Sequence, residues 1–169
     1  MKLVFSVRRR YLCLMRRTLL RLFCVGWLAY AWPLHGDTGR ILKVLPEFLD
    51  LKGRTSLSPS LYERDAYQAV LRDHPSRREG IRFYVQWHTK GAVWEPLIVR
   101  LELRGAASGS FPKRLVVDTP VENTGSTLSH WVEVTLTGDE YRNFGGVTAW
   151  RATLWEGRHA LGSQQSFLW

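Results

Sequence analysis

Between Ile81 and His88 the chain alternates without a break: Ile81, Phe83, Val85 and Trp87 are apolar, while Arg82, Tyr84, Gln86 and His88 carry polar groups. The same beat returns in Leu97, Val99, Leu101 and Leu103 against Ile98, Arg100, Glu102 and Arg104, and in Val132, Val134 and Leu136 against Trp131, Glu133 and Thr135. A period of two sends successive side chains to opposite faces of an extended backbone, whereas a helix would smear these apolar positions around its circumference. Each run therefore demands a strand with one face in a core and one in water, as in an antiparallel sheet. The 81–88 and 97–104 runs, joined through residues 89–94, are expected to pair with each other.

Further strands fill in around these three. Residues 39–53 (GRILKVLPEFLDLKG) are rich in aliphatic side chains, but Pro46 removes a ladder donor, so an edge strand broken or bulged at that point is expected. Residues 113–118 form a short strand, and 147–155 with 159–169 form a hairpin across Glu156-Gly157. One helix interrupts them near 61–74: Ser60 stands at the cap position, Glu63 follows three residues on, and Pro75 stops it. Its apolar face is read as Tyr62, Ala66, Ala69 and Val70, enough to lid one end of a sheet. A single helical turn through Tyr141 and Phe144 is ended by Gly145-Gly146. The expected architecture is mainly β, a two-sheet antiparallel sandwich of about seven strands with immunoglobulin-like topology.

Charge divides the chain. Of 169 residues, 24 are Lys or Arg and 15 are Asp or Glu, but residues 1–36 hold seven of the basic residues and no acid. Residues 37–169 therefore carry 17 basic against 15 acidic side chains, too even a balance for a nucleic-acid-binding surface. Within the basic leader, Leu22 to Gly36 has no formally charged residue, and its 15 residues would span about 22 Å as a helix, short of a bilayer core of roughly 30 Å. A basic segment, a short apolar run and small residues describe a signal peptide, with cleavage after Ala29-Tyr30-Ala31 or near Gly36. A short uncleaved anchor is the rival reading. Met15 offers a second start, and Arg8-Arg9-Arg10 and Arg16-Arg17 leave twin-arginine export open beside the general route. Both cysteines, Cys13 and Cys24, lie in this leader, so residues 37–169 form a thiol-free domain that has to be held by core burial alone.

The segments ILKVLPEFLDLKGR, LSPSLYERDAYQ, TAWRATLWEG and SQQSFLW resemble those of a group of small exported bacterial proteins of unassigned function. At the level of the fold the chain resembles immunoglobulin and fibronectin type III domains. It departs from the antibody pattern in lacking a cysteine pair; Trp87 compares loosely with that fold's buried tryptophan, and Tyr141 with its tyrosine corner. The resemblance implies an architecture and carries no activity with it.

Motifs of catalysis are missing: there is no GxSxG elbow, no HExxH, no phosphate-binding glycine loop ending in Lys-Ser/Thr, and no cysteine beyond the leader. His74, His88, His130 and His159 have no metal-ligand spacing, although His88 and His130 lie on strands that can converge. Glu95, Glu102 and Glu133 read as wet-face residues rather than a paired-carboxylate site. Arg82, Arg100 and Arg104, around Glu102 and Gln86, suggest a modest anion-attracting patch or cross-strand ion pairs. No catalytic residue, metal or cofactor is expected.

Tryptophan is the sharper signal. Trp87 and Trp150 share faces with aliphatic neighbours and belong in the core, whereas Trp94 ends a loop and Trp131 and Trp155 fall on faces bearing Glu133 and Arg151. Exposed rings of this kind stack on sugars or anchor protein interfaces, or else pack against the helix, a loop or the amino-terminal segment. A terminal Trp169 also suggests an outer-membrane barrel, but Gln165 and Ser163 would then face lipid, so Phe167 and Trp169 are expected to close the sandwich core instead. The functional expectation is a non-catalytic exported module of the bacterial envelope, periplasmic, surface-bound or secreted, with a protein partner. The alternative is a carbohydrate-binding module using Trp94, Trp131 and Trp155. Membrane contact would come only through an uncleaved leader.

Overall fold

The computed structural model describes residues 39–91, 93–106, 112–122 and 128–169, and the expectations for the leader lie outside these residues. Seven strands among them form two antiparallel sheets. β1 (Gly39–Asp50), β2 (Arg78–Thr89) and β5 (His130–Thr137) make one, in the order β1-β2-β5. β3 (Leu97–Ala106), β4 (Lys113–Val121), β6 (Gly146–Glu156) and β7 (His159–Gln165) make the other, in the order β4-β3-β6-β7. The chain changes sheet after β2, after β4 and after β5, as in an immunoglobulin-like sandwich, with the fourth strand beside β3 rather than beside β5.

Ile81, Phe83, Val85 and Trp87 of β2 and Val134 and Leu136 of β5 meet Leu97, Val99, Leu101 and Leu103 of β3 and Ala152 and Leu154 of β6 in one buried cluster. Each such large aliphatic or aromatic side chain contributes about 1.5–3 kcal/mol by leaving water. Trp87 is the largest fully buried side chain, and Trp150 packs at the margin of the cluster. The short helix α2 (Gly138–Phe144) drops Tyr141 and Phe144 into the same core, and Phe144 occupies the space that the missing side chain of Gly105 leaves.

The expected pairing of β2 with β3 is wrong. They lie in opposite sheets and face each other across the core. Alternation alone satisfies both arrangements, because a strand's apolar face reads the same toward a neighbour's core or across it. What decides is the connection: β2 ends at Thr89 in one sheet and β3 begins at Leu97 in the other, so the chain passes between layers about 10 Å apart instead of turning tightly between neighbours. The arginine patch dissolves for the same reason, with Arg82 on one sheet and Arg100 and Arg104 on the other.

β1 is an edge strand, as Pro46 requires, yet Pro46 stands in register opposite Phe83. The irregularities fall elsewhere, between Ile41 and Lys43 and between Leu49 and Asp50. The first shifts the parity, so that Val44 turns inward opposite Val85 while Leu45 and Glu47 turn outward.

Helix α1 (Leu61–Asp73) starts where Ser60 predicts, its side chain accepting from the Glu63 N–H. Its expected apolar face is wrong: Tyr62 and Val70 are exposed, and Gln68 and Leu71 are the buried residues. The helix also lies against β1 rather than over one end of a sheet. Gln68 explains this, because its amide accepts from Phe48 N–H (2.7 Å) and donates to the carbonyls of Phe48 (2.9 Å) and Thr55 (2.7 Å). A side-chain amide here does the work of a further strand along an edge that would otherwise stay open. Asp50 secures the loop before the helix, accepting from the N–H groups of Lys52 and Arg54, the Arg54 guanidinium and the Tyr67 hydroxyl.

Candidate functional site

The three tryptophans singled out by parity sit near one end of the sandwich, where β2 finishes and β3 begins, but they face three ways. Trp94 lies in the crossing segment with its N–H on Glu156 Oε1 (2.8 Å) and its side chain 88 % exposed. Trp155 is on the outer face of the second sheet, opposite Ile98, with the Arg100 guanidinium 5.4 Å from its ring centre. Trp131 is on the outer face of the first sheet, opposite Gln86 and 49 % exposed. The structure does not bring them together into one platform.

Around Trp155 the second sheet's outer face is filled by its own side chains. Arg100 forms a two-pronged pair with Asp118 (2.7 and 2.8 Å), and its guanidinium holds the Asp118 carboxyl below the ordinary range. Arg151 pairs with Glu102 (2.6 Å), and the guanidinium groups of Arg104 and Arg151 lie 4.2 and 4.8 Å from the ring centre of Trp169. Trp169 thus stacks on the outer face and Phe167 is fully exposed, so neither closes the core as expected. The reason is cation–π attraction, which gives an aromatic ring on a charged face about 0.5–2 kcal/mol of its own. A hollow of about 260 Å³ remains beside Ile98, Arg100, Trp155, Gly157 and Arg158.

Trp131 belongs to a different kind of surface. With Leu45 of β1 and Tyr84 of β2 it floors a groove of about 360 Å³, walled by Thr55 and Arg64 and bounded by Glu47. Leu45 and Tyr84 are cross-strand partners, and Trp131 lies diagonally beyond them. Glu47 is only 8 % exposed, and Arg64 Nε stands 3.4 Å from its carboxylate. On the far side Arg82 reaches Glu133 (3.4 Å) and donates to the Tyr84 hydroxyl (3.4 Å).

Of the groove's residues, sequence parity marks only Tyr84 and Trp131. Leu45 and Glu47 were hidden by the parity shift at Ile41–Lys43, and Arg64 by a helix whose inner face is polar. The signal that could have found them is Glu47 itself, a carboxylate between Pro46 and Phe48 in a strand rich in apolar residues.

His88 and His130 fall on opposite faces. His130 is the partner of Trp87, its ring 4.9 Å away and tilted 30°, while His88 pairs with Arg40 on the other parity. Among the described residues no group of three His, Cys, Asp or Glu side chains converges as a metal site, and no helix is long and apolar enough to cross a membrane. Comparison with protein-family models, curated proteins and solved structures found no match to this chain.

Proposed function

We propose that the chain is a non-catalytic binding module exported to the bacterial envelope, and that its partner is a protein. The observation that carries this reading is the run of exposed apolar side chains leading into α1: Leu51, Leu57, Leu61 and Tyr62 are 62–83 % exposed within twelve residues. Soluble domains rarely leave so much apolar surface in one short stretch without a use for it. Nothing in the local packing calls for them, because α1 is held to β1 by Gln68, Tyr67 and Leu71 on its other side. Export is supported by the basic leader and its short uncharged run.

The test is capture from an envelope extract by the full chain, beside a Leu57→Ser, Leu61→Ser, Tyr62→Ser variant. A partner held by the native chain and lost by the folded variant supports the reading. Equal capture by both removes it. N-terminal sequencing of the product recovered from the envelope checks cleavage near Ala31 or Gly36.

The carbohydrate reading narrows under the geometry. Three tryptophans facing three ways make no common platform, and the support that remains for it is at Trp131.

A further inference from the structure

We propose that the groove between α1 and the outer face of the β1-β2-β5 sheet is a binding site for an uncharged saccharide ring, stacked on Trp131 and gripped by Glu47 and Arg64. The site is independent of the protein-docking side chains Leu51, Leu57, Leu61 and Tyr62, none of which lines it.

Size comes first. At about 360 Å³ the groove lies at the lower end of the range of roughly 300–1,000 Å³ for small-ligand sites, and its floor of Leu45, Tyr84 and Trp131 is apolar and aromatic. Such a floor suits a flat ligand with C–H groups on one side, and a half-exposed indole is a rigid surface with little entropy to lose.

The polar groups then select the chemistry. Glu47 is only 8 % exposed, and its carboxylate has Arg64 Nε at 3.4 Å and Arg82 as its cross-strand neighbour. Arg64 Nε is itself buried without a hydrogen-bond partner. A buried guanidinium N–H without a partner costs free energy until something accepts from it, and the Glu47 carboxylate beside it is placed to accept from the same molecule. Vicinal hydroxyls do both at once. A purely apolar ligand would leave the Arg64 N–H unsatisfied, and an anion such as phosphate or a uronate would meet the Glu47 charge.

Charge balance points the same way. The charged lining groups are Glu47 and Arg64, which offset each other, and the neighbouring Arg82 is shared among Glu133, Thr135, Tyr84 and its cross-strand partner Glu47. No net charge is left over to neutralise an ionic ligand.

The experiment is titration of the purified full chain with a panel of neutral hexose and N-acetylhexosamine oligomers, followed by calorimetry and by the indole N–H signals in heteronuclear NMR. The Trp131 signal is assigned by its loss in Trp131→Phe. Inorganic phosphate and a hexuronate oligomer are included as anionic probes. The expected result is saturable movement of the Trp131 signal by at least one neutral oligomer, with affinity falling about tenfold or more in Trp131→Ala and in Glu47→Gln. Phe167→Ser, remote from the groove, should bind as the native chain does. If Trp131→Ala fails to fold, Trp131→Phe and Glu47→Gln carry the comparison. No response from any neutral oligomer at about 10 mM, a stronger response to the anions, or binding that survives both Trp131 and Glu47 substitution would overturn the proposal. Loss of protein capture in the 57/61/62 variant with saccharide binding intact separates this site from the protein-docking reading.

Discussion

Gln68 closes both backbone groups of Phe48, accepting from its N–H at 2.7 Å and donating to its carbonyl at 2.9 Å. One side chain on a helix thereby completes the edge of a sheet twenty residues away in sequence.

Replacing Gln68 by Ala removes these two bonds and a third, to the Thr55 carbonyl, and leaves buried backbone groups bare. The expected loss is about 2–3 kcal/mol, seen as a lower urea midpoint at unchanged slope. Leu in its place should do no better, since it fills the space without serving the carbonyls.

Asp50 gives the fold an acid limb. Burial alone would raise its carboxyl, but hydrogen bonds from Arg54, Tyr67 and Lys52 outweigh that and hold it well below the usual carboxylate range. A folded-state value below the unfolded one of about 3.9 means that the stabilisation is complete above that pH and drains away as pH falls through the interval beneath it. Thermal unfolding of the native chain between pH 6 and pH 2.5 should therefore show a steep fall in midpoint below about pH 4, and Asp50→Asn should flatten it while lowering the midpoint at pH 6.

Gly105 is opposite the Phe144 ring, and a Cβ there would stand 2.5–2.9 Å from three ring carbons. Gly105→Ala should push α2 out of the core and cost about 1–3 kcal/mol, with near-ultraviolet dichroism reporting the disturbed packing. Adding Phe144→Leu should recover part of the loss, because the clash is with the ring alone.

Trp169 is held between the guanidinium groups of Arg104 and Arg151. Trp169→Ala should cost about 1 kcal/mol and leave the core intact, as judged by an unchanged denaturant slope. Acrylamide should quench Trp94 in the native chain far more deeply than Trp87, and Trp94→Phe should lower the accessible fraction.

Much of this architecture was legible in the chain. The alternation in β2, β3 and β5 marked strands and inward faces correctly down to Trp87, and Ser60 marked the helix start. The division of strands between sheets was not legible, because Phe83 and Leu101 look alike whether their strands are neighbours or face each other. The seating of α1 escaped for a related reason: beside the single buried Leu71 its anchoring is by Gln68 and Tyr67, and hydrogen bonds leave no hydrophobic period. Trp131 could be placed on a wet face from parity, but its groove needed Glu47 and Arg64 brought from two other elements, a convergence that no local pattern records.

At its first residues β1, still paired with β2, also lies against β7: a side chain on Gly162 would run into the carbonyl oxygen of Gly39 (2.8 Å) and the Cα of Arg40 (2.9 Å). The two layers are thus sewn together along one margin, backbone to backbone, while β4 and β5 form the opposite margin. The sandwich has a spine and a fore-edge, like a book. Thermal breathing should open it at the fore-edge, so amide hydrogens of β4 should exchange with solvent well before those of the Gly39–Gly162 seam.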